Sequence, residues 1–197
     1  MTASKNTILD KFILRKLLHI MLVITLLPIA KFGIESIGLD GLLMLGTTIL
    51  LFLSLAEFAR IEFGWFKFTE YLIKSKEKNN FFAMTYALAI SLVLLAVFEI
   101  SIAFAAISIA FLGDAAASII GKKFGRNNCR FNPEKTWEGF LAHLTVGILV
   151  SLYFLPLSLG IPMAVAAASF ELACSKIEDN FFIQLVTAFA GYLFSLI

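Results

Sequence analysis

Charge is what this chain has least of: Asp, Glu, Lys and Arg make up 15% of its 197 residues. A water-soluble globular chain carries about 25%, so this one lacks the polar surface needed to cover a body facing water. Cysteine is scarce as well. Cys129 and Cys174 stand far apart, which excludes a disulfide-stapled secreted module and leaves no zinc or iron–sulfur spacing. The net charge of +2 excludes nucleic-acid binding driven by bulk charge. Neither a G-x-x-x-x-G-K-[ST] loop nor a G-x-G-x-x-G turn occurs, so neither a P-loop enzyme nor a protein-kinase-like fold is indicated.

Apolar residues fill the space that charge leaves. They make up 60% of the chain, 21 of them Phe, and mean hydropathy is +0.92. The composition is that of an all-α integral membrane protein, a single transmembrane domain over residues 1–197. Candidate spans are Leu17–Phe32, Leu39–Ala59, Phe81–Phe98, Ile102–Ile120, Trp137–Leu157, Ile161–Cys174 and Phe181–Ile197, a count of about seven. The sixth is short and carries Glu171, so six crossings plus a re-entrant or tilted segment fits as well. Barrel strands would alternate with a period of two, which these runs do not. Leu17 opens a full span with no A-x-A-like pattern close behind it, unlike a signal peptide.

Orientation follows from the basic residues. With seven spans and a cytoplasmic N-terminus, fifteen of the sixteen Lys and Arg fall on the cytoplasmic side, and only Lys31 lies opposite. Both cysteines are then expected as free thiols on or near the reducing side. Two cytoplasmic loops result. Arg60–Asn80 mixes charge with Phe63, Trp65, Phe66, Phe68 and Tyr71, which suits an amphipathic helix in the headgroup layer. Gly121–Thr136 holds five basic residues with Gly121, Gly125, Asn127, Asn128, Asn132 and Pro133, the composition of a flexible, donor-rich phosphate loop.

The fourth span departs from generic apolar filler. Gly113, Ala117, Gly121 and Gly125 recur every four residues, a small-residue ridge that lets a second helix or a ligand approach the backbone. Asp114 lies inside the same helix, where an unpaired carboxylate costs about 2.5–3.5 kcal/mol. Other ionisable groups share its depth and side: Arg15, Lys16 and His19; Glu57 and Arg60; Lys135, Thr136, Glu138 and His143; Glu171, Asp179 and Asn180. Each alone reads as a snorkelling or helix-end charge. Together they combine acids that suit Mg²⁺, bound through one or two carboxylates plus substrate phosphates, with cations that neutralise a transferring phosphoryl group. A cytoplasmic mouth admits nucleotide and intramembrane walls admit lipid. The set therefore points to a metal- and nucleotide-dependent enzyme acting on a lipid headgroup.

Five elements resemble the CTP-dependent lipid kinases, the family of dolichol or polyprenol kinase, phytol kinase and the CTP-dependent diacylglycerol kinase, which is related to phosphatidate cytidylyltransferase. They are R-K-L-L-H at Arg15–His19, E-F-A-R at Glu57–Arg60, G-D-A-A-A-S-I-I-G-K-K-F-G-R at Gly113–Arg126, K-T-W-E-G at Lys135–Gly139, and the Glu171, Asp179, Asn180 pattern. The resemblance implies transfer of the γ-phosphoryl group of CTP to a polyprenol, phytol or diacylglycerol hydroxyl. Asp114, Glu138 and Asp179 would hold Mg²⁺ and the triphosphate. Lys122, Lys123, Arg126 and Lys135 would contact phosphates, with Arg15, Lys16, Thr136 and Asn180 completing the nucleotide set. His19 is the first candidate for the general base, since a neutral imidazole accepts a proton near neutral pH; Glu57 and Asp114 stand behind it, and a structural helix-end role for His19 stays open. Trp137 makes K-T-W-E-G look as much like a cytidylyltransferase, which would attack the α-phosphorus. A transporter is the non-enzymatic rival, although its charges would gather at the bilayer midplane.

Two geometric expectations complete the reading. Lys122 and Arg126 lie about 12–18 Å beyond Asp114 along a helix axis, so a triphosphate spans the gap if the helix breaks near Gly121 or Gly125. The small-residue ridges also permit a homodimer. The topology is checked by Asn127→Cys in a cysteine-free background: a membrane-impermeant thiol reagent should label it from the cytoplasmic face alone, and labelling from outside would refute both orientation and site.

Overall fold

The helix with the smallest side chains organises the others. The computed structural model describes residues 2–65, 83–130, 132–174 and 179–197. The described residues form α1 (Thr2–Phe63), α2 (Ala83–Val97), α3 (Ile100–Phe124), α4 (Trp137–Ser151), α5 (Leu157–Ala173) and α6 (Asp179–Ser195). Between Ile102 and Ala117, α3 is buried on nearly every side, and it packs against each of the other five helices. A helix that is apolar all round belongs in the middle of a bundle.

The ridge on α3 is a helix seam. A Cβ on Gly139 of α4 would lie 3.0 Å from the carbonyl of Ala117, and one on Gly147 would lie 3.2 Å from Ile109 Cγ2. One on Gly121 would lie 2.9 Å from Thr136 Oγ1, at the mouth of α4. The two helices thus run antiparallel with small residues facing each other, and α4 fills the ridge from within the chain. That face is not left over for a homodimer. The seam continues to α5, where a Cβ on Gly147 would meet Ala164 Cβ at 3.0 Å and one on Gly160 would overlap Ser151. Between α2 and α6, Ser91 donates to Gln184 Oε1 at 2.8 Å, a half-buried polar link between apolar helices.

The first two expected spans are two helices that meet at Gly38 with no loop between them and share the label α1. The sequence between them has no proline and no polar run, so helical geometry continues through α1 except at Gly38, where φ is 75° and ψ 168°. Gly33 and Leu42 sit on opposite sides of that residue and would be about 13 Å apart on a straight helix. A Cβ on Gly33 would nonetheless lie 3.0 Å from Leu42 Cδ1, so the bend is sharp. The remaining elements match the expected spans to within a few residues, except that α4 stops at Ser151 because Pro156 opens α5.

Two stretches, Val23–Phe63 and Ile100–Phe124, are long and apolar enough to cross a bilayer, and four shorter helices are apolar as well. Phe32, Met44, Phe52 and Tyr153 are among many large side chains exposed on the outside. Such a surface suits lipid and not water. Of the amphipathic segment expected at Arg60–Asn80, α1 carries the beginning, with Phe63 packed on Trp65 at 5.7 Å, and residues 66–82 lie outside the described residues.

No atom lies within 4 Å of a Cβ placed on Gly38. Gly38→Ala therefore isolates the backbone term: a positive φ with extended ψ is costly for any residue but glycine, about 1–3 kcal/mol. A lowered melting temperature in detergent is the expected result, and an unchanged one would mean that α1 bends without that conformation.

Candidate functional site

Asp114 is 6% exposed and Lys16 8%. α3 brings the carboxylate inward and α1 lays the lysine across it, so that Lys16 Nζ donates to Asp114 Oδ2 in a buried ion pair. Ser118, one turn along α3, donates to the other oxygen at 3.3 Å. Neutralisation by Lys16 answers the question raised by an acid within an apolar helix.

A second buried acid lies on α5. Glu171 accepts from Lys135 Nζ at 2.6 Å on one oxygen, and its other oxygen faces His143 Nδ1. His143 is fully buried on α4. Its ring occupies the space beside Gly113, where a Cβ would come within 2.4 Å of the ring atoms. The two acids are therefore joined through neighbours, since Gly113 precedes Asp114 and seats the histidine that holds Glu171.

Residues 125–130 and 132–136 lie between these groups, and specific hydrogen bonds tie them where composition suggests a flexible loop. Asn128 and Thr136 form an antiparallel bridge. Cys129 N–H donates to the Lys135 carbonyl at 2.9 Å, and Lys135 N–H donates to that of Asn132 at 3.0 Å. The buried Asn132 amide donates to the carbonyls of Leu172 (3.2 Å) and Cys174 (3.4 Å), closing the end of α5. Thr136 caps α4 by accepting from Gly139 N–H at 3.1 Å. Glu138 accepts from the Asn127 side-chain amide at 2.8 Å and from its N–H at 3.2 Å. These contacts make Thr136 and Glu138 parts of the helix entry.

Of the two glycines at which a break is expected, Gly125 is the one: α3 stays helical through Gly121 to Phe124 and turns extended at Gly125. Lys122 and Lys123 occupy its last turn and are exposed, with Arg126 and Arg130 exposed just beyond. They form a cationic rim about 12 Å or more along the axis from Asp114. At the end of α1, Arg60 Nη2 donates to Glu57 at 2.8 Å. The side chains of Arg15 and His19 on α1, and of Asp179 and Asn180 at the start of α6, lie outside the described residues.

The structure thus joins Lys16 to Asp114 and brings Lys135 to an acid that the proposed ligand set leaves out. Glu171 and His143 are the additions. Glu171 is visible in sequence as an acid within an apolar run, but nothing there reveals its partners. Among the described residues no three His, Cys, Asp or Glu side chains gather closely enough to hold a metal ion. What converges is a pair of buried, lysine-neutralised carboxylates under a basic rim, a layout that can receive a polyanion with a cation.

This chain is similar to a phytol kinase. The relative, from Synechocystis sp., is 29% identical over 113 residues, covering 54% of this chain and 48% of the relative. The chain thus spans about half the length of the curated relative it matches. No family model and no solved structure matches.

Breaking a buried pair on one side leaves an uncompensated charge, at about 3–5 kcal/mol. Lys16→Met should lower the melting temperature in detergent, and adding Asp114→Asn should restore most of the loss. Additive losses in the double variant would show that the two side chains act separately.

Proposed function

We propose that this chain is a kinase that transfers the γ-phosphoryl group of CTP to the hydroxyl of a membrane lipid alcohol of the polyprenol, phytol or diacylglycerol kind. The observation that carries the reading is the pair of buried carboxylates, Asp114 and Glu171, each held by a lysine at the basic end of an apolar bundle. Similarity to a phytol kinase supports the same reaction class.

In this reading the mouth faces the cytoplasm, and the two arms of α1 with α2 to α6 make seven crossings. Asp114 fits Mg²⁺ as the buried acid of a site completed by substrate phosphates, because that ion needs only one or two carboxylates. Ser118 lies beside it, and Glu138 and Asp179 are the further acids of the set. When bound, the ion neutralises charge on the transferring phosphoryl group. Lys135 reaches the phosphates from below, and Lys122, Lys123 and Arg126 draw the triphosphate toward the mouth, with Arg15, Lys16, Thr136 and Asn180 around it. His19 takes the proton of the lipid hydroxyl. Apolar walls hold the alcohol's chain.

The test uses purified protein, CTP labelled separately at the α and γ positions, and a panel of lipid alcohols and phosphatidate. Label should reach a lipid alcohol from γ only. Label reaching phosphatidate from α would establish the cytidylyltransferase instead, and no transfer would refute both. Asp114→Asn should abolish nearly all transfer when assayed below its own, lowered melting temperature, since the amide keeps the shape, loses the charge and strands Lys16; turnover at the wild-type rate would leave Asp114 a structural partner of Lys16.

A further inference from the structure

We infer that Glu171, held by His143, is a positioning residue that aims the Lys135 ammonium at a phosphate group of a nucleoside triphosphate; the inference rests on the kinase reading above. The three side chains form a column from the closed interior to the mouth. The His143 side chain is 0% exposed, that of Glu171 4%, and that of Lys135 24%.

Each link has a physical reason. His143 Nε2 has no hydrogen-bond partner among the described residues. A buried N–H without an acceptor is costly, so the tautomer with its proton on Nδ1 is the one the surroundings accept, and that proton goes to Glu171 Oε2. The ring cannot swing away, because α3 closes over it at Gly113. Glu171 is thereby turned with its other oxygen toward Lys135.

Packing alone does not call for this arrangement. An apolar side chain at 171 would fill the same volume without the desolvation of a carboxylate. What the acid adds is direction. The lysine stem is long and flexible, yet its backbone is fixed by hydrogen bonds to Asn132 and Cys129, and Asn132 ties that loop to the end of the helix carrying Glu171. Both ends of Lys135 are set before any ligand arrives, so little freedom is lost on binding.

The test measures binding of CTP, and of inorganic tripolyphosphate as a probe without a base, to the full chain in detergent by equilibrium dialysis. Lys135→Ala and Glu171→Gln should each weaken both ligands about tenfold, the scale of one charge-assisted contact. The double variant should bind no worse than the weaker single one, because Glu171 acts through Lys135. His143→Asn, whose amide can replace the Nδ1 donor, should retain binding that His143→Leu loses. Melting curves identify variants that fail to fold, and the two His143 variants carry the test if Glu171→Gln does. Multiplying losses in the double variant, equal binding by the two His143 variants, or a wild-type chain that binds neither ligand would each overturn the inference. Tight binding with this pattern, but without γ-phosphoryl transfer, would leave the positioning role standing and remove the kinase reading.

Discussion

A carboxylate inside an apolar bundle must be neutralised, and the arrangement of this chain's polar end follows from that constraint. Asp114 and Glu171 are almost wholly buried. Two charges at such depth cannot rely on solvent, so each has a lysine from another element. The first pair pins α1 to α3. The second pins the entry of α4 to the end of α5. Segments far apart in sequence are thereby brought to one end of the bundle, where the exposed basic residues after Gly121 also lie.

Close packing makes these pairs geometrically attainable. Gly139 on α4 meets Ala117 and Gly121 of α3, and Gly147 meets Ile109 of α3 and Ala164 of α5, at distances that leave no room for a side chain. Close backbone approach and buried polar links are the features that let apolar helices associate even where the surroundings are as apolar as the helices themselves. The seam also sets the chemistry, because it is the missing side chain at Gly113 that makes room for the His143 ring. Packing and site are one construction here.

The described part of the loop after α3 carries more local bonds than its composition suggests. Glycine, asparagine and proline suggest freedom, yet the side chains of Asn127 and Asn132 bond to Glu138 and to the carbonyls at the end of α5, and the backbone at Asn128 pairs with Thr136. Short polar side chains satisfy backbone groups at turns and helix ends as readily as they bind ligands. Glu138 and Thr136, which the resemblance to the lipid kinases implies as metal and nucleotide ligands, also serve that local purpose.

Hydropathy determined the all-α class and most element boundaries by itself, because apolar run length is a one-dimensional property. It also made Asp114 stand out, since an acid in an apolar run is conspicuous without any knowledge of its neighbours. The small-residue ridge was equally legible, though not which helix would fill it. Tertiary structure alone decided that Lys16 pairs with Asp114 across 98 positions, that Lys135 pairs with Glu171 across 36, and that His143 closes the second cluster. It decided as well that the first two spans meet directly at Gly38, where a positive φ turns the chain between them. Pairing partners depend on which faces meet, and that is fixed only when the helices choose their seams.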